Sequence, residues 1–170
     1  MIHVFAYRYF PDYVGGGERL AELTVRGLRQ LGQDCAVVTT SGVAGETSVW
    51  DDVQIHHIAP KGDDGFDTEA LTRLIALDQP QLMHITGSLG AYDAALTAQK
   101  AGINVGLATT DYGLICSNAT LKRPGDRYCG GPVSEIDCFR CGLGSRRLRD
   151  QITGEVGRAL GPFAAPLRDS

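Results

Sequence analysis

Short runs of apolar residues alternate along the chain with longer segments in which apolar residues recur at helical spacing. Each run is four to eight residues long and is bounded by polar or glycine-containing segments, which is the pattern of a buried β-strand. Five such runs predict strands, over residues 2–7, 35–40, 53–59, 80–86 and 103–110.

Helical spacing marks the segments between these strands. Residues 18–32 predict a helix that ends at Gly32, and residues 67–78 predict a second one. Ser88 is the predicted N-cap of a third, and residues 145–160 form a possible last helix. The apolar faces are predicted to consist of Leu20, Leu23, Leu28 and Leu31 in the first helix, Leu71, Leu74 and Ile75 in the second, and Leu89, Tyr92, Ala95 and Leu96 in the third.

Alternating strands and helices at this spacing predict an α/β fold, a Rossmann-like parallel sheet with helices on both faces. A length of 170 residues suits one domain, residues 1–170. The alternation stops after Thr110, and residues 112–147 predict an irregular, cysteine-rich insert within that domain.

The charge of the chain is unevenly distributed. The formal net charge is −4, which gives no support for nucleic acid as the main partner. Residues 116–149 nevertheless contain seven basic residues against three acidic ones. This basic segment is interpreted either as a solvated loop or as a contact for an anionic substrate or a lipid head group.

The first residues lack the basic region of a signal peptide, and no apolar run reaches the length of a membrane span. We therefore expect a cytoplasmic protein, in which clustered cysteines are more often metal ligands or reactive thiols than disulfides.

Four of the five cysteines fall in the insert: Cys116, Cys129, Cys138 and Cys141. The last two form a C-x-x-C pair, which is half of many structural zinc sites, and two further thiolates would complete a tetrahedron. A long irregular loop is also uncommon in a compact domain unless something orders it. The spacing favours a structural zinc ion, with an iron–sulfur cluster, one or two disulfides, or unligated thiols as alternatives.

Three consecutive glycines, Gly15, Gly16 and Gly17, follow the first predicted strand. Glycines at this place let a backbone approach a ligand closely, and the start of the next helix favours an anion. The dinucleotide-binding fingerprint fails, however, because Leu20 stands where its third glycine is required. A nicotinamide-dependent oxidoreductase is therefore disfavoured.

Two long segments resemble glycosyltransferase family 4. They are YFPDYVGGGERLAELTVRGLRQLGQDCAVVTT, with its proline, glycines and acidic helix start, and PQLMHITGSLGAYDAALTAQKAGINVGLATTDYGLIC. The cysteine-rich insert resembles one that a subset of these enzymes carries at this place. Together the similar segments cover nearly the whole chain.

The resemblance implies a GT-B architecture of two Rossmann-like domains, with this chain as the N-terminal, acceptor-binding half. It implies a retaining transfer from a nucleotide-sugar donor to a sugar or lipid-linked acceptor, with no catalytic metal and with possible contact at the membrane surface. By position, Gly15, Gly16, Gly17 and Glu18 would lie near the donor diphosphate, and His84 and Asp111 would line the cleft.

This sequence departs from the family pattern in two respects. Thr86 and Thr110 stand where the family often has histidine, and the donor-binding second domain is not part of the 170 residues. We expect the chain to be inactive until a donor-binding domain or a separate chain supplies the other half. The alternative is a binding module without enzymatic activity, a metal-stapled domain that recognises an anionic sugar or a partner protein.

Overall fold

The computed structural model describes residues 1–62, 65–116, 120–123, 127–130, 136, 138 and 141. The chain divides into two compact units, Met1–Asp111 and Tyr112–Ser170. The second unit begins at the residue where the insert is predicted to begin. The predicted helix over residues 145–160 lies outside the described residues.

Within its described residues, the first unit contains three helices and a central sheet. Its elements in chain order are β1 (Ile2–Ala6), α1 (Gly16–Gln30), β2 (Cys35–Thr39), β3 (Thr47–Trp50), β4 (Val53–His57), β5 (Pro60–Lys61), β6 (Gly65–Phe66), α2 (Thr68–Asp78), β7 (Leu82–Thr86), α3 (Ala91–Lys100) and β8 (Asn104–Ala108).

The main sheet has six strands in the order β3-β4-β2-β1-β7-β8. All neighbours are parallel except the edge strand β3, which runs antiparallel to β4. The five predicted strands are thus confirmed, and so is the Rossmann-like α/β class. The two-stranded β5–β6 pair is a small separate sheet.

Side chains that alternate along the strands build two cores, one on each face of the sheet. Val4, Val37 and Ile55 pack under α1, whereas Phe5, Val38 and Ile85 face α2 and α3. Both faces are covered because crossover helices alternate with parallel strands. This two-sided burial explains why β1 and β2 are mostly apolar and could be recognised from the sequence.

Two of the predicted helix faces are confirmed only in part, because Leu28 of the first face and Leu89 and Ala95 of the third pack against the cores, whereas other members of both faces are exposed. In α1 the buried residues are Ala21, Glu22 and Val25, whereas Leu23 and Leu31 are 47% and 77% exposed. In α3 three alanines, Ala91, Ala94 and Ala98, face the sheet. Small side chains at the centre of each face let these helices lie close to the strands, and Leu31 of α1 and Tyr92 of α3 are left exposed. The predicted face of α2 is confirmed, because Leu71 and Ile75 are buried and Leu74 packs against the same core.

The helix ends follow local chemistry. Gly32, with φ +71°, ends α1 as predicted, and Gln33 N–H donates to Leu28 O at 2.9 Å in a Schellman arrangement. The predicted Ser88 cap is wrong, because Gly90 is the N-cap of α3. A Cβ at Gly90 would lie 3.1 Å from the Tyr7 ring, and φ there is +64°, so glycine suits this position.

The edge strand β3 is not predicted by the sequence. All four of its residues are exposed, so it lacks the alternation that marks a half-buried strand. The hairpin to β4 turns at Asp51 and Asp52, both at positive φ, as tight two-residue hairpins require.

Two histidines share one carboxylate beside α2. His3, which is fully buried, has Nε2 2.9 Å from Asp78 Oδ2, and His56 Nε2 lies 3.5 Å from the same oxygen. Burial lowers the pKa of both imidazoles, and it outweighs the opposing effect of Asp78.

We expect acidification to destabilise the fold through these histidines. A lowered pKa in the folded state means that, as pH falls through about 6.5, the unfolded chain takes up protons that the folded chain excludes. The free energy of unfolding should therefore fall between pH 7.5 and pH 5.5, by at most about 1.4 kcal/mol per pH unit for each histidine. Urea unfolding across this range measures it, and His56→Gln should make the decline shallower. A free energy that stays constant or rises on acidification would contradict the expectation.

Candidate functional site

The strand order of the first unit creates a crevice between β1 and β7. The chain leaves β1 through α1 towards β2 on one side, whereas β7 and β8 lie on the other side. Ligands in open parallel sheets bind at such a switch point, beyond the carboxyl ends of the strands. A cavity of about 190 Å³ lies there in this structure.

Four loops and helix ends line this cavity, which we call the switch-point pocket. Its residues come from the end of β1, the first turn of α1, the end of β7 and the segment after β8: Ala6, Tyr7, Arg8, Gly17, Glu18, Thr86, Gly87, Ser88, Leu89, Thr110 and Asp111. The pocket thus combines one guanidinium, two carboxylates and several hydroxyl groups.

The amino-terminal end of α1 opens onto this pocket through Gly17. Gly15 is its N-cap, in an extended conformation, and no side chain caps the first turn. The first N–H groups of a helix have no intrahelical partner, and with the helix dipole they favour an anion. The described first turn is therefore suited to hold a phosphate or a carboxylate of a ligand.

Thr86, the last residue of β7, is the residue that most clearly indicates a binding site. Its side chain is 5% exposed and lines the pocket, yet Oγ1 has no hydrogen-bond partner in the described part of the chain. Buried polar groups are nearly always satisfied, so such an oxygen calls for an explanation. A ligand hydroxyl or phosphate oxygen in the pocket would provide the missing partner.

The three glycines occupy different surroundings. Only Gly17 lines the pocket, and a Cβ there would lie 3.9 Å from Thr110 Oγ1. A Cβ at Gly16 would meet nothing within 4 Å, and one at Gly15 would lie 2.5 Å from Glu18 Oε2. None of the three has positive φ, so space rather than backbone conformation distinguishes them.

His84 lies in the middle of β7, between Val4 and Gly106 of the neighbouring strands. Its side chain shares the sheet face of Thr86 but sits one row further from the pocket, and it is not a lining residue. Burial lowers the pKa of its imidazole, and Nε2 has no partner among the described atoms. Of the predicted substrate-binding residues, the structure brings together Gly17, Glu18 and Asp111, and it places Gly15, Gly16 and His84 outside the pocket lining. A role in substrate binding stays a prediction for all six.

Sequence reasoning did not assign Arg8, Thr86 or Thr110 to the site. Arg8 follows β1 directly, and its guanidinium carbon lies 4.9 Å above the Tyr13 ring, which orients the side chain. Thr86 and Thr110 were noted only as departures from a family pattern. Their positions at the ends of adjacent parallel strands are the signal that could have identified them.

The second unit contains the four clustered cysteines. A hairpin of β9 (Lys122–Arg123) and β10 (Arg127–Tyr128) is followed by Cys129, whose N–H donates to Leu121 O at 2.8 Å. Cys116, Cys129, Cys138 and Cys141 are half-buried thiols, and within the described residues none forms a disulfide.

The predicted zinc ligands lie in the second unit, of which the structure describes only a part. Among the described residues, which include all four cysteines, no group of three or more histidine, cysteine, aspartate or glutamate side chains could hold a metal ion. The zinc ion and the iron–sulfur alternative stay predictions, which elemental analysis of protein purified without chelator would check.

Comparisons with known proteins give one structural likeness. Among solved structures, the chain is similar to MurG from Acinetobacter baumannii, with 15% sequence identity and a TM-score of 0.49 over 79% of this chain. The chain spans less than half of that protein, 43% of its length. No protein-family profile and no curated protein sequence matches. No described helix has the length and apolar character needed to cross a lipid bilayer.

Proposed function

We propose that the chain is the acceptor-binding half of a retaining glycosyltransferase of the GT-B class, similar to family 4. The whole enzyme would move a sugar from a nucleotide-sugar donor to a sugar or lipid-linked acceptor. The observation that carries the proposal is the switch-point pocket, which is lined both by Thr86, whose buried hydroxyl has no partner among the described residues, and by the uncapped first turn of α1.

The lining residues can bind both the diphosphate of the donor and the hydroxyl groups of the acceptor. N–H groups at Gly17 and the guanidinium of Arg8 can hold negative charge, such as the diphosphate that leaves the donor. The carboxylates of Glu18 and Asp111 can accept hydrogen bonds from acceptor hydroxyls, and the Thr86 and Thr110 hydroxyls can both donate and accept. In the transfer, the bond from the sugar to the diphosphate breaks, a bond to the acceptor oxygen forms, and that oxygen loses its proton.

The size of the pocket supports a half-site. Complete small-molecule sites typically enclose about 300–1,000 Å³, whereas this cavity measures about 190 Å³. A nucleotide sugar would need a second wall, which the proposal assigns to a donor-binding domain outside these 170 residues. Exposed basic residues of the second unit, Lys122 and Arg127, would favour contact with an anionic membrane surface on the cytoplasmic side.

A binding experiment on the isolated chain tests the assignment of the acceptor side. In ¹⁵N-¹H spectra, a panel of sugar phosphates and methyl glycosides should include compounds that shift the amides of Gly17, Thr86 and Thr110. Nucleotide sugars alone should bind weakly, because the proposed donor contacts lie mainly in the other half. The proposal would be contradicted if the isolated chain bound a nucleotide sugar tightly. It would also be contradicted if sugar phosphates shifted only the amide resonances of residues far from this pocket.

A further inference from the structure

A second depression lies beside α1, and it shares no lining residue with the switch-point pocket. It is an open groove of about 430 Å³ between α1, the turn that joins β3 to β4, and the loop after β1. Its lining residues are Phe10, Arg19, Glu22, Arg26, Trp50 and Asp51. We call it the Trp50 groove.

One buried carboxylate holds two arginines in this groove. Glu22 is 7% exposed; its Oε2 lies 2.7 Å from Arg19 Nη1, and its Oε1 accepts from Arg26 Nη2. Both guanidiniums remain about half exposed. A carboxylate this deeply buried requires such partners, so the pairs fix the arginine side chains in place. Each guanidinium has five N–H donors, most of which stay available to a ligand.

An aromatic surface lies opposite these charges. Trp50 ends the edge strand, pairs with Val53 and leaves 40% of its surface exposed. The carbonyl of the next residue, Asp51, accepts from Arg29 Nη1 at 2.6 Å, which ties the hairpin turn to α1. Phe10 adds a second ring, packed edge-on against Tyr9 at 5.9 Å. The groove therefore has a preformed aromatic wall rather than an adaptable loop.

We propose that the Trp50 groove binds a neutral sugar ring. A sugar presents an apolar face that stacks on an aromatic ring, and hydroxyls that each donate and accept hydrogen bonds. The groove offers the matching set: the indole of Trp50, guanidinium donors, and the carboxylate of Asp51 as acceptor.

The charges of the groove give no preference for an anionic ligand. Arg19 and Arg26 carry two positive charges, and Glu22 and Asp51 carry two negative ones, so the lining is neutral overall. A phosphate could only accept hydrogen bonds and would be repelled by Asp51. The volume of about 430 Å³ falls in the range of about 300–1,000 Å³ that is typical of ligand sites. This second sugar site is independent of the proposed transfer reaction.

Trp50 is the only tryptophan of the chain, so its fluorescence and its indole N–H resonance report on this groove directly. Titration with methyl glycosides and short neutral oligosaccharides should give a saturable change of both signals, with a Kd in the millimolar range. Sodium pyrophosphate at equal concentration and ionic strength should give none.

Two matched variants distinguish sugar binding in the groove from a general effect of sugar on the solvent. Arg19→Gln removes one guanidinium and leaves Glu22 paired with Arg26, so we expect the fold to persist and the affinity for the sugar to fall at least fivefold. Arg73→Gln alters an exposed arginine on α2, paired only loosely with Glu69 at 3.9 Å, and should leave the affinity unchanged.

Three outcomes would overturn this proposal. The first is that no neutral sugar gives a saturable change of the Trp50 signals up to 50 mM, about ten times the expected Kd. The second is that Arg19→Gln binds the sugar with unchanged affinity. The third is that pyrophosphate changes the Trp50 signals more than sugars do. If Arg19→Gln does not fold, the unmodified chain still decides, because its indole resonance either shifts with sugar or does not. Binding in the switch-point pocket would shift Gly17 and Thr86 instead, so the two sites remain distinguishable.

Discussion

The 170-residue chain alone is expected to transfer no sugar, even with donor and acceptor at millimolar concentrations. In the proposed enzyme one wall of the cleft lies in another domain, and the switch-point pocket of about 190 Å³ is too small to align a nucleotide sugar without it. Positioning of reactants contributes roughly 7–11 kcal/mol to barrier lowering, which corresponds to effective molarities of about 10⁵–10⁸ M. A loss on this scale leaves nothing measurable above spontaneous hydrolysis.

Release of nucleoside diphosphate per chain measures this directly. The positive control is the same chain supplied with a donor-binding domain, either fused after Ser170 or added separately. Sustained turnover by the isolated chain would show that half a cleft is enough. If turnover is absent under both conditions while sugars still bind, the molecule is a binding module rather than half of an enzyme.

Gly17→Leu is expected to lower kcat/KM of the complete enzyme at least tenfold, or about 1.4 kcal/mol. Gly17 lines the pocket, and a side chain there would extend from a Cβ that already lies 3.9 Å from Thr110 Oγ1. The leucine side chain would occupy the space of the ligand. Binding of sugar phosphates to the isolated chain, measured by the shifts of Thr86 and Thr110, should weaken in parallel.

Gly16→Leu is the matched control for this substitution. Gly16 is the preceding residue of the same helical turn, its Cβ would meet nothing within 4 Å, and neither glycine has positive φ. Leucine favours helix more than glycine by roughly 0.5–1 kcal/mol, so neither variant should be less stable than the parent chain. Thermal melting beside kinetics verifies this. Equal losses of activity in both variants would mean that the helix end as a whole, not the space at Gly17, matters.

The strands of the sheet were accessible from the sequence because their signal is local. A strand buried on both faces is mostly apolar over several consecutive residues, as in residues 4–6 and 35–38. The ends of α1 and α2 were also readable. Gly32 adopts positive φ after α1, and Asp67 Oδ1 accepts from the N–H groups of Glu69 and Ala70 at the start of α2.

The faces of α1 and α3 could not be read in the same way, although that of α2 could. Leucines at helical spacing in α1 suggested a buried stripe, yet Ala21, Glu22 and Val25 face the sheet. How closely a helix approaches the sheet depends on the strands below it. The burial of Glu22 depends further on Arg19 and Arg26, which neutralise it in place.

The candidate sites depend on contacts between distant parts of the chain. Thr86 and Gly17 are nearly seventy positions apart, and they meet because β7 pairs with β1 and α1 begins beyond the same edge. Trp50 faces α1 only because an exposed hairpin adds β3 antiparallel to β4. Hydrophobic periodicity reports which residues are withdrawn from water, and so it predicts strands and their class of fold. It does not report strand order, and strand order places Thr86, the start of α1 and Trp50 beside the two depressions described above.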